Sequence, residues 1–94
     1  MTTRYQTALA FARREPAQCH NARTQGTSYW LHGHLIALRI APTIVRFNWC
    51  GWHTPTTAAH MNDILRALGV NMRVSYAQAR EGKADEVFDI TVPQ

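Results

Sequence analysis

Residues 28–68 read SYWLHGHLIALRIAPTIVRFNWCGWHTPTTAAHMNDILRAL, and this stretch decides the fold. It holds all three tryptophans and most of the β-branched and aromatic side chains. Residues 28–32 make a short aromatic strand. Residues 35–40 and 44–49 are two further runs of the type that suits a pleated surface, parted by a turn at Ala41-Pro42-Thr43. Between the first two runs, Gly33-His34 fits a two-residue hairpin, because glycine at the first central position meets the positive φ of a type II′ turn. A single strand over residues 28–40, with Gly33 as a bulge, is the other reading of the same residues.

Thr54-Pro55 then announces a helix. Threonine is a good N-cap and proline a good first helical residue, with Thr56 as a competing cap. Ala58, Met61, Ile64, Leu65 and Leu68 recur at helical spacing and define the buried face, leaving His60, Asp63 and Arg66 on the other. Gly69 suits the left-handed residue that closes a helix.

Outward from this centre, residues before Pro16 predict a first helix. Thr2 or Thr3 caps it, Tyr5, Ala8, Leu9 and Ala12 share one face, and Arg13 and Arg14 complement the dipole in its last turn. Residues 17–27 are small and polar and read as a loop. Beyond Gly69, Val70, Met72, Val74 and Tyr76 alternate with polar residues as a half-buried strand, and residues 78–84 read as a turn. Phe88, Ile90 and Val92 form a last alternating strand ended by Pro93. The expected fold is therefore α+β, one domain over residues 1–94, in the order α-β-β-β-α-β-β. An antiparallel sheet of about five strands carries two helices.

Composition narrows the class. The chain has 94 residues, 46% of them hydrophobic and 17% charged, which describes a globular domain and not a disordered one. No apolar run reaches the roughly 20 residues of a membrane span, and no N-terminal stretch reads as a secretion signal. Together these point to the cytoplasm and away from membranes. Cys19 and Cys50 are too few for a disulfide framework and read as reduced thiols, Cys50 partly buried. Residues 1–62 hold six arginines against Glu15 alone, whereas residues 63–94 hold four cations against five acids. Nine of the ten cations are arginine, the side chain suited to planar contacts with carboxylate or phosphate.

Asn21, Gly26, Leu31-His32-Gly33-x-x-Ile36-Ala37, Gly51-Trp52-x-Thr54-x-Thr56-Thr57 and Asn62 form a pattern that resembles small uncharacterised proteins of actinobacterial phages. The likeness covers residues 21–68 and leaves the first helix and the last hairpin unmatched. It implies a phage-encoded accessory protein acting in the host cytoplasm, and carries no assigned activity with it. Much of the pattern also has a structural reading. Gly33 serves a turn, Gly51 a bend, the threonines a helix cap, and Trp52 packs over the second helix ahead of that cap. A functional reading of Thr56-Thr57 is that their exposed N–H groups bind an anion.

Chemistry-bearing clusters are sparse. Five histidines are present, yet Cys50-x-x-His53 and His60 lack the paired spacing of a structural zinc site, so no metal and no cofactor is expected. Cys50 with His53 or His60 has neither an oxyanion hole nor an orienting carboxylate, and the acids cluster near the last turn, so no catalytic residue is assigned. Two functions remain. One is a non-enzymatic module that binds a host protein through aromatic and arginine anchors. The other is a nucleic-acid binder that lays its basic first two-thirds on phosphate and stacks Tyr29 or Trp30 on bases. Tyr29, Arg39 and Arg46 are the candidate binding residues, and self-association through a sheet edge is compatible with either function.

Overall fold

A computed structural model describes residues 2–93. The first and last residues of the expected domain thus lie outside the described residues. The elements run α1 (Arg4–Ala12), β1 (Ala17–Cys19), β2 (Ala22–Gln25), β3 (Ser28–Leu31), β4 (His34–Ala41), β5 (Ile44–Asn48), α2 (Pro55–Ala67), α3 (Tyr76–Arg80) and β6 (Val87–Thr91). The fold class is the expected one, an α+β domain on an antiparallel sheet. Six strands lie in chain order β1-β2-β3-β4-β5-β6, each antiparallel to the next, with α2 and α3 inserted before the last.

The sheet is covered on one side. Phe11 of α1 meets Tyr29 of β3 edge-on at 5.9 Å, and Met61, Ile64 and Leu65 of α2 join Tyr29, Phe47 and Trp49 in one core. Alternation along each strand sends Ala22, Thr24, Tyr29, Leu31, Val45 and Phe47 to this inner side, all of them buried. In β4 the alternation slips twice, first at Ile36 and again at Ile40. Tyr29 pairs with Ala37 and Trp30 with Leu35, so Ile36 is an extra residue, and Ile36 and Ala37 both turn inward.

Several local expectations are corrected. Residues 17–27 are not a loop but the hairpin β1–β2. Its small residues Ala22 and Thr24 lie buried beneath α1, and packing overrides their modest strand propensity. The β3–β4 hairpin forms with His32 and Gly33 as its central pair, at φ of 50° and 79°. Positive φ at both centres defines a type I′ turn one residue earlier than the expected type II′, and the bulge lies at Ile36 instead of Gly33.

Residues 70–75 extend without joining a ladder. The Asn62 amide accepts from Val74 N–H at 2.7 Å and donates to Val74 C=O at 3.2 Å, so one side chain satisfies the backbone groups that a neighbouring strand would take. Tyr76 then begins α3, capped by Ser75, where a strand end and a turn were expected.

Both long helices are closed at their ends. In α1, Thr3 Oγ1 accepts from Gln6 N–H at 3.1 Å and Gln6 Oε1 accepts from Thr3 N–H at 2.9 Å, a reciprocal capping box. Arg13 and Arg14 fall past its last turn, and the cation that meets its carbonyl end is Arg39, whose Nη2 donates to Ala12 O at 3.3 Å. In α2, Thr54 Oγ1 accepts from Thr57 N–H at 3.2 Å, so Thr54 and not Thr56 is the cap. Gly69 at φ 77° closes the helix with Gly69 N–H on Arg66 O and Val70 N–H on Leu65 O, a Schellman pair. His60 belongs to the buried face, contrary to expectation, because α1 packs beside α2 and widens the face that must be covered.

Candidate functional site

Among the described residues no helix lies on the outer side of the sheet. Register places Arg23, Trp30 and Leu35 in one row across β2, β3 and β4, and Ser28, Leu38, Arg46 and Asp89 in the next. Ile40 stands at a second bulge beside the β4–β5 turn and is 41% exposed. Trp30, Leu35 and Leu38 are half-buried, sheltered only by one another and by flanking side chains, since the helices and the core lie on the opposite side. The result is an apolar stripe on an open face, with Gln25, Ser28 and Asn48 as polar neighbours.

Arginine brackets the stripe. The Arg23 guanidinium lies over the Trp30 ring, 4.5 Å from its centroid, a cation–π contact between directly opposed residues. At the other end Arg46 and Asp89 pair as a two-point fork, Nε to Oδ1 at 2.8 Å and Nη2 to Oδ2 at 3.0 Å. Hydrogen bonding to Asp89 raises the Arg46 pKa further, and the same bond holds Asp89 below the usual carboxylate range.

The three residues singled out from the sequence fall in three different environments. Tyr29 is fully buried, its hydroxyl on His60 Nδ1 at 2.7 Å, and burial raises its pKa. It is a core residue and takes no part in any surface, a correction that follows from strand parity: with Ala22 and Thr24 inward, the register turns Tyr29 in and Trp30 out. Arg39 is also turned inward, tied to Ala12 O and to Pro42 O at 2.9 Å, and burial followed by the nearby Arg14 charge lowers its pKa. Only Arg46 stands on the open face, and there it is paired. Sequence reasoning passed over Arg23, Leu35 and Leu38; alternation in residues 22–25, read as a loop, was the signal for Arg23, whereas the outward facing of Leu35 and Leu38 depends on the bulge at Ile36.

The tryptophans divide in the same way. Trp49 is core, Trp30 lies on the open face, and Trp52 is 54% exposed, resting on the His34 ring at 5.6 Å instead of packing over α2. Cys19 is buried and Cys50 half-buried, both free, and burial followed by Glu86 raises the Cys50 pKa. Among the described residues no three His, Cys, Asp or Glu side chains converge as a metal-binding group, and no helix is long and apolar enough to cross a membrane. Set against known protein families, curated proteins and solved structures, the chain matches none.

Proposed function

We propose that this chain is a non-enzymatic protein-binding module that docks a folded partner on the open face of its sheet. The observation that carries this reading is the Arg23–Trp30 pair set beside Leu35 and Leu38 on a face that no other element covers among the described residues. Tryptophan and arginine are the side chains most enriched among binding hot spots, and an apolar centre within a polar rim is the anatomy of a protein interface. The likeness of residues 21–68 to actinobacteriophage proteins supports a host protein as the partner and the host cytoplasm as the place of encounter.

Internal pairing of the two candidate arginines weighs against the nucleic-acid reading. Arg39 is bonded to backbone carbonyls and Arg46 to Asp89, so a phosphate would have to displace an existing partner at each. The two readings separate by salt. A nucleic-acid complex loses affinity with a log–log slope of about −0.9 per phosphate neutralised, whereas an apolar hot spot holds. The test is affinity capture from host lysate by the wild-type chain and by Leu38→Glu, across a salt series. A protein retained by the wild type at high salt and lost by the variant supports the reading. Equal capture by both, or salt-sensitive nucleic acid alone, overturns it.

A further inference from the structure

A second region, on the inner side of the sheet, has the features of a ligand site. Two clefts meet where α2 begins. The larger, about 600 Å³, is walled by Leu31, Ile36, His34 and Trp52. The smaller, about 290 Å³, reaches Arg4, His20 and His60, and both include His32 and Thr56. Four of the five histidines of the chain therefore line one two-lobed groove, while His53 is held elsewhere by Glu86. Among the described residues no aspartate or glutamate lines either lobe. The nearest acid, Asp63, is already bonded to Arg4 Nε, which leaves the Arg4 Nη nitrogens without a partner among the described residues.

The lobes differ in chemistry. In the larger, Trp52 rests on the His34 ring, inclined at 42°, above an apolar floor of Leu31 and Ile36. An exposed indole held from one side is a platform for a flat apolar group. In the smaller lobe the decisive residue is His60, only 7% exposed. Its Nδ1 meets the Tyr29 hydroxyl, which has no other partner among the described residues, so the phenol donates and Nδ1 accepts. A neutral ring then carries its hydrogen on Nε2. Burial, with the Arg4 charge as the second cause, keeps the ring neutral by lowering its pKa to about 4. Nε2–H makes no hydrogen bond within the described residues, and His60 lines the cavity. The donor is therefore open to the cleft and available to an acceptor from outside.

The start of α2 contributes little here. Thr54 Oγ1 already takes Thr57 N–H, so of the Thr56-Thr57 pair expected to hold an anion one N–H is committed to the cap. The oxyanion lobe rests on His60, Arg4 and His32.

We propose that this groove binds a small amphipathic anion, a flat aromatic body carrying a carboxylate or phosphate head. The body lies against Trp52, and the head accepts from His60 Nε2–H and pairs with Arg4 beside His32. Cavities of this size with an apolar wall and a few convergent polar groups are the usual form of small-molecule sites.

The test is an NMR titration of the full chain, following the imidazole signals of His32 and His60 and the indole N–H of Trp52. Four probes separate the contributions: a naphthoate, the matching naphthyl phosphate, the uncharged naphthalenemethanol, and inorganic phosphate alone. Saturable shifts at all three residues are expected with one or both naphthyl anions, the tighter identifying the head. The alcohol and inorganic phosphate should bind at least about tenfold more weakly, as each lacks one half of the ligand. Trp52→Ala and His32→Asn, both exposed positions, the asparagine keeping a side chain that suits the positive φ of the turn, should each weaken binding of the naphthyl anion without a change in melting temperature. Shifts that stay linear to millimolar probe, equal binding of the alcohol, or shifts that centre on Trp30 would overturn the proposal.

Discussion

Tyr29 donates its phenolic hydrogen to His60 Nδ1 across 2.7 Å, joining the middle of β3 to the middle of α2 inside the core. Neither residue could be buried at this cost alone, since each would leave a polar atom without a partner. Together they let an aromatic strand residue and a helix histidine pack as core, with the rings edge-on at 5.9 Å. Tyr29→Phe removes the donor and leaves Nδ1 unpaired. The expected result is a loss of about 1–2 kcal/mol, read as a lower urea midpoint with an unchanged slope. An unchanged midpoint would mean the bond contributes nothing.

His60 also makes stability depend on pH. Its pKa is lowered from 6.5 to about 4 in the folded chain, chiefly by burial. Between those values the unfolded chain binds a proton that the folded one excludes, so stability falls as pH drops from 6.5 towards 4, by at most about 1.4 kcal/mol per pH unit from this group. Below that window Glu86 and Asp89 add to the loss. Burial raises Glu86, but hydrogen bonds from His53 and Gly51 N–H outweigh it, and both carboxylates titrate below their ordinary values. Denaturation midpoints of wild type and His60→Gln across this range measure the effect, and the variant should show the flatter profile between pH 6.5 and 4. Parallel profiles would contradict the assignment.

At the start of α2 the two threonines should separate cleanly. Thr54→Ala removes the acceptor of Thr57 N–H and should cost about 1 kcal/mol, whereas Thr56→Ala, exposed and not the cap, should stay within about 0.5 kcal/mol of wild type. Thermal melts decide it, and the reverse order would move the cap to Thr56.

Asn62 stands in for a missing strand. Asn62→Ala would leave Val74 N–H and C=O without partners, and a cost of about 1–3 kcal/mol is expected. Hydrogen exchange at the Val74 amide should quicken well before global unfolding. Protection equal to wild type would show that another group had taken over.

What was legible in the sequence was whatever local chemistry dictates. Thr54-Pro55 and Gly69 bound α2 closely, and the runs around Leu35 and Ile44 became β4 and β5. What was not legible depended on a partner distant in the chain. Ala22 and Thr24 become strand residues only because α1 lies over them, and Val74 stays off the ladder because Asn62 occupies its backbone. Tyr29 and Trp30 exchange roles for the same reason: both are strand-forming aromatics, and only the register with β2 decides which one faces the core. Arg39 reads as a surface cation until the carbonyl end of α1 is placed beside it.

The central claim is that Trp30 anchors a protein partner on the open face, and one measurement tests it most directly. With the captured partner in hand, its Kd is compared for wild type and Trp30→Ala by calorimetry, alongside melting temperatures of the two chains. The account predicts a loss of at least about 2 kcal/mol, roughly 30-fold in Kd, with the fold intact. Affinity unchanged by Trp30→Ala, with the partner lost instead on a change at the inner groove, would contradict it.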